Sequence, residues 1–143
     1  MSLLPADSLD RTELQTQQRG RLAALLAEII PSNPFWTDKF TAAGVELSAI
    51  HTWDEFQQLP FTSKAELADD QAAHPPYGTN LTYPMADYSR LHQTSGTTTG
   101  VPLRWLDTPA SWNWFMQCWA EIYRLIELAP ADRLAFPVSL GPL

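Results

Sequence analysis

The sequence predicts an α/β fold in which an N-terminal helical region precedes the first strands and one helix of a sheet that is incomplete. Three observations carry this reading. Apolar residues recur at helical spacing up to residue 30, and two capping boxes follow. A Pro-rich stretch then breaks the periodicity. Beyond it, two short strand-like runs bracket a Ser/Thr/Gly segment and lead into a long apolar helix.

The elements follow in order. Leu14 to Ile30 reads as an amphipathic helix through Leu14, Leu22, Leu25, Leu26, Ile29 and Ile30, and Pro31 stops it. Phe35 to Ala43 predicts a short helix ending at Gly44, a residue suited to a left-handed terminus. Thr52-Trp53-Asp54-Glu55 and Ser63-Lys64-Ala65-Glu66 each place a hydroxyl three residues before a Glu, so each opens a short helix. Residues 74–88 hold three Pro with Gly and Asn and read as irregular. Arg90 to Thr94 and Leu103 to Leu106 predict strands. Asp107-Thr108-Pro109 starts a helix that runs to about Leu128, with Trp112, Phe115, Met116, Trp119, Ile122, Tyr123 and Ile126 on one apolar stripe. Leu134 to Leu140 predicts a buried strand. The expected organisation is a helical region over 1–74, a connector over 75–89, and the start of a nucleotide-binding α/β domain over 90–143.

Composition excludes several classes. A 45% apolar content fits a globular chain, and the net charge of −7 disfavours a nucleic-acid or anionic-membrane surface. No apolar run reaches the length of a membrane span. The N-terminus lacks the basic and apolar regions of a secretion signal, and a lone Cys118 permits no internal disulfide, so the expected compartment is cytoplasmic.

The segment Arg90 to Trp105, RLHQTSGTTTGVPLRW, carries the chemistry. Gly96-Thr97-Thr98-Thr99-Gly100 can turn several backbone N–H groups into one concavity, and Ser95 with the three Thr adds hydroxyl donors. Such donors suit a triphosphate with Mg²⁺. Residues of this kind equally suit a plain Ser/Thr-rich hairpin turn, and the segment is neither a Walker A loop nor GxGxxG.

The segment also resembles the Thr/Ser/Gly-rich phosphate loop of adenylate-forming enzymes, the acyl-CoA synthetase superfamily. Together, PFWTDKFTAAGV, LPFTSKAELADD and RLHQTSGTT are similar to the N-terminal part of phenylacetate–CoA ligase-like proteins, including coenzyme F390 synthetase-type relatives. The resemblance runs from about Arg19 onward. It implies the large domain of such an enzyme and a two-step reaction. A carboxylic acid, often aromatic, attacks ATP held with Mg²⁺, giving acyl-AMP and pyrophosphate; coenzyme A then displaces AMP to form a thioester. By matching the motif, Ser95, Gly96, Thr97, Thr98, Thr99 and Gly100 inherit contact with the β- and γ-phosphates. The usual loop reads SGTTG, so one Thr is additional here, and Val101 stands where relatives often carry a polar residue. Arg104 is a candidate cation. The family's later motifs, including its catalytic Lys and the acidic residue serving Mg²⁺, are absent. The expectation is therefore an inactive fragment or truncated product of an AMP-forming acid–CoA ligase. A non-catalytic docking or dimerisation module with a vestigial loop is the alternative, and a homodimer is compatible with either.

Elsewhere the simpler readings prevail. His51, His74 and His92 lack metal-ligand spacing, although His92 precedes the loop directly. Lys64 reads as a solvated helix-start residue. The Trp112/Phe115/Trp119 stripe reads as core packing before an aryl-acid pocket, and as a self-association surface if it lacks cover. Cys118 reads as a small buried hydrophobe.

Overall fold

The computed structural model describes residues 9–45, 50, 52–96 and 100–135. The chain divides into two compact units, Met1–Met85 and Ala86–Leu143.

Among the described residues, four α-helices build the first unit: α1 (Arg11–Ile29), α2 (Pro34–Ala42), α3 (Trp53–Phe56) and α4 (Lys64–Ala73). Each begins on a side-chain cap, because the first N–H groups of a helix have no partner within it. α1 starts earlier than the apolar period suggests. Asp10 Oδ1 accepts from the Glu13 N–H at 2.8 Å, and Glu13 Oε2 accepts from the Asp10 N–H at 3.0 Å. Thr52/Glu55 and Ser63/Glu66 form the two boxes expected for α3 and α4. Asn33 caps α2 with Pro34 in its first turn, and Gly44 takes φ +67° just past its end. Leu26 of α1 and Phe40 of α2 are the buried apolar side chains of this unit among the described residues.

Polar links tie α2 to α4 and α4 to the stretch that follows it. The Lys39 ammonium on α2 bonds Glu66 on α4. That hydrogen bond, with donation from the Ser63 backbone and hydroxyl, holds the Glu66 carboxyl down to about 2. At the end of α4, Asp70 accepts from the Thr79 N–H at 2.7 Å and the Thr79 hydroxyl at 2.6 Å. Gly78 passes so close that a Cβ there would lie 2.2 Å from Asp70 Oδ2. Thus part of the Pro-rich stretch is irregular yet pinned. Met85–Asp87 makes one turn of 3-10 helix.

The second unit is a hairpin and a helix: β1 (Arg90–Gln93), β2 (Arg104–Asp107) and α5 (Pro109–Leu125). The strands pair antiparallel with Arg90 opposite Asp107, Leu91 opposite Leu106, His92 opposite Trp105 and Gln93 opposite Arg104. Thr108 caps α5, accepting from the Ser111 N–H, and Pro109 occupies its first turn. The observed mixture of helices and a small two-stranded sheet is the α/β arrangement that the sequence predicts.

Three expectations change. No side chain of α5 is buried among the described residues: Phe115, Met116, Trp119 and Ile122 all remain exposed. Cys118, on the same helix, is exposed too. Of the strand expected over Leu134 to Leu140, Leu134 and Ala135 are exposed and lie outside any strand; residues 136–140 are outside the described set.

Candidate functional site

The Ser/Thr/Gly loop joins β1 to β2. Two bonds close its root: the Thr94 N–H donates to the Leu103 carbonyl at 2.9 Å, and the Leu103 N–H donates to Thr94 Oγ1 at 2.9 Å. Leu103, 3% exposed, buries the apolar side chain at the root. Above it the chain turns at Gly96, which is buried and takes φ +70°. A Cβ on Gly96 would meet the Pro102 nitrogen at 3.1 Å and its Cδ at 3.3 Å. Both the left-handed backbone and the close approach therefore require glycine. Gly100 takes φ +73° in open space, and its N–H donates to the Gly96 carbonyl at 2.8 Å.

Of the six expected phosphate-contacting residues, Ser95, Gly96 and Gly100 fall together on this turn. Thr97, Thr98 and Thr99 lie outside the described residues. Ser95 is exposed, with its hydroxyl available as a donor. The Gly100 N–H is committed to Gly96, so a phosphate at this turn takes its hydrogen bonds from other groups. Arg104 is exposed at the β2 start, across the ladder from Gln93.

Beneath the loop lies a cluster that sequence reasoning only touched at His92. Strand alternation puts Arg90 and His92 on one face. Both meet Trp112 of α5. The His92 ring stacks on the indole at 5.2 Å and 14°, and the Arg90 guanidinium carbon lies 4.3 Å from the indole centroid. His92 Nε2 is 3.2 Å from Asp107 Oδ2, and Ser111 Oγ donates to Asp107 Oδ1 at 2.8 Å. The partnership of Asp107 with His92 depends on strand register, which no local sequence signal supplies.

Among the described residues, no group of three or more His, Cys, Asp or Glu side chains is assembled to hold a metal ion. No helix among the described residues is long and apolar enough to cross a membrane. A separate groove of about 710 Å³ lies wholly within the first unit, lined by Leu22, Leu26, Ile29, Trp36, Phe40 and Phe61 among others.

No family model matches the chain. Over 92 residues it is 32% identical to a phenylacetate-coenzyme A ligase of Thermus thermophilus, an alignment covering 64% of this chain and 20% of that enzyme. Its fold superposes on 2-hydroxyisobutyryl-CoA ligase crystallised in an open conformation with 2-HIB-AMP and CoA: TM-score 0.78, 26% identity, 91% of this chain and 32% of that one. The same ligase with 2-HIB-AMP and CoA in the thioesterification state gives a TM-score of 0.79 and 28% identity, over 91% of this chain and 29% of that one. The chain thus spans between a fifth and a third of the length of these relatives.

Proposed function

We propose that this chain is part of an adenylate-forming acid–CoA ligase, the kind of protein it is similar to in sequence and fold, and that it handles the phosphates of ATP while a carboxylic acid is activated. The observation that supports this most is the loop on its pinned hairpin, with Gly96 buried at φ +70°. Fixing the root of such a turn lowers the ordering cost of any ligand bound there. In the proposed reaction a carboxylate oxygen attacks the α-phosphorus of ATP. The bond from that phosphorus to the bridging oxygen breaks, and pyrophosphate carries the electron pair away. Ser95, Gly96, Thr97, Thr98 and Thr99 are assigned to the β- and γ-phosphates, where charge accumulates on the leaving group; Gly100, whose N–H is taken by Gly96, is assigned to shaping the turn that carries them. Mg²⁺ enters with ATP as part of the substrate. Coenzyme A thiolate then displaces AMP from the acyl carbon, giving the thioester.

This activity belongs to a protein longer than the matched part. We assign no turnover to these 143 residues alone. Within them, 1–74 serves as a helical region, 75–89 as a connector and 90–143 as the start of the nucleotide-binding domain. An aryl acid, as the name of the similar phenylacetate-coenzyme A ligase suggests, is the proposed substrate class, and the cytoplasm the proposed compartment. The test is ATP–pyrophosphate exchange by the protein as its gene encodes it, with aryl and short-chain acids. Exchange that is lost in Gly96→Val supports the reading; no exchange with any acid overturns it.

The exposed apolar face of α5 favours a second reading, a docking or dimerisation module whose loop is vestigial. A dimer in sedimentation that Trp119→Glu dissociates, in a protein that does not bind Mg-ATP, would support it.

A further inference from the structure

We infer that His92 is a positioning residue for the loop, fixing the tilt of its hairpin on α5 through Asp107 and Trp112. This rests on the phosphate reading above. The hairpin does not need His92 in order to form: the β1–β2 ladder and the two Thr94–Leu103 bonds already make it. What the ladder leaves open is the angle between the hairpin and the helix that follows. His92 closes that freedom twice. Its ring lies flat on Trp112, 5.2 Å away at 14°. Its Nε2 reaches Asp107 Oδ2 at 3.2 Å.

Asp107 is the last residue of β2, and its other oxygen accepts from Ser111 Oγ in the first turn of α5 at 2.8 Å. A carboxylate only accepts, so this contact ties the two residues when His92 Nε2 carries the proton. The path is therefore continuous: β1 through His92, the end of β2 through Asp107, and α5 through Ser111 and Trp112. Arg90 adds its guanidinium to the same indole at 4.3 Å. His92 to Gly96 spans roughly 13 Å of extended chain at ~3.3 Å per residue. A tilt of about 10° at the root would displace the turn by about 2 Å over that length. Displacements of that order matter for groups that must meet developing charge.

The substitution series separates this role from simple stability. His92→Ala removes both links. His92→Phe keeps a ring on Trp112 but has no Nε2 donor. His92→Gln returns an amide donor to that reach. The measurement is Mg-ATP affinity by calorimetry on the protein as its gene encodes it, with circular dichroism melts on the same samples. His92→Ala and His92→Phe are expected to weaken binding about tenfold, with His92→Gln recovering to within about threefold. His92→Ala combined with Asp107→Asn is expected to be no weaker than His92→Ala alone, because the two act through one bond. If His92→Ala does not fold, His92→Phe carries the test. Wild-type affinity in a folded His92→Phe overturns the positioning role while leaving the loop reading intact, provided Gly96→Val abolishes binding. Absence of Mg-ATP binding by the unaltered protein overturns the loop reading and this inference with it.

Discussion

Asn33 Nδ2 donates to Asn80 Oδ1 at 3.0 Å across 47 residues of chain, so the cap of α2 is also a clamp on the stretch that follows α4. The same amide nitrogen reaches Thr82 Oγ1 at 3.1 Å, while Oδ1 accepts from the Trp36 N–H at 3.3 Å. At 2% exposure the side chain has no water to fall back on. Asn33→Ala should therefore cost the cap, ~1 kcal/mol, and leave buried groups unpaired, adding about 1–3 kcal/mol. Urea unfolding of the two proteins measures the difference. A loss below 0.5 kcal/mol, on the order of an ordinary surface change, would contradict this account.

Glu66 makes the stability of the first unit pH-dependent. Its folded carboxyl titrates at about 2 against 4.5 unperturbed, chiefly because of the Lys39 hydrogen bond. The folded state holds the proton less tightly than the unfolded state. The contribution is therefore fully present above about pH 4.5 and lost as pH falls from there toward 2. Glu66→Gln should flatten that part of the curve. Urea midpoints of both proteins across pH 2–5 should converge at the acid end; parallel curves would rule out this origin.

Gly96 and Gly100 share the left-handed backbone but not the surroundings. Alanine at Gly100 meets open space, so it pays only conformational strain, about 1 kcal/mol. Alanine at Gly96 adds a 3.1 Å approach to the Pro102 backbone. Gly96→Ala should destabilise the protein more than Gly100→Ala and weaken Mg-ATP binding more. Equal thermal shifts would show that the approach to Pro102 is relieved at no cost.

Cys118 lies exposed on α5. One thiol per chain should react with Ellman's reagent in native buffer, at a rate that denaturant raises little. A thiol that reacts only after unfolding would mean that α5 is covered in solution.

Local chemistry was legible and distant partnership was not. Thr52/Glu55 and Ser63/Glu66 announce their helices because both halves of a capping box lie within one turn. Asp10/Glu13 carries the same signal, yet the apolar period draws attention to Leu14 instead. Asn33 reads as a turn residue; its other partners sit far along the chain. At the loop, glycine spacing forecasts a turn, but the Thr94–Leu103 closure and the His92–Asp107 pair arise only once two strands settle their register. The α5 stripe shows the opposite failure. Its periodicity is correct, and burial was inferred from it, but burial also needs something opposite.

The closure between Thr94 and Leu103 separates two kinds of change. Below it, one inserted residue would turn every side chain of β1 or β2 to the opposite face. Above it, an insertion leaves the strand pairing in register, because the root is fastened by the Thr94 hydroxyl and the Leu103 backbone. The hairpin is thus a platform whose tip can lengthen or shorten through evolution without disturbing its footing.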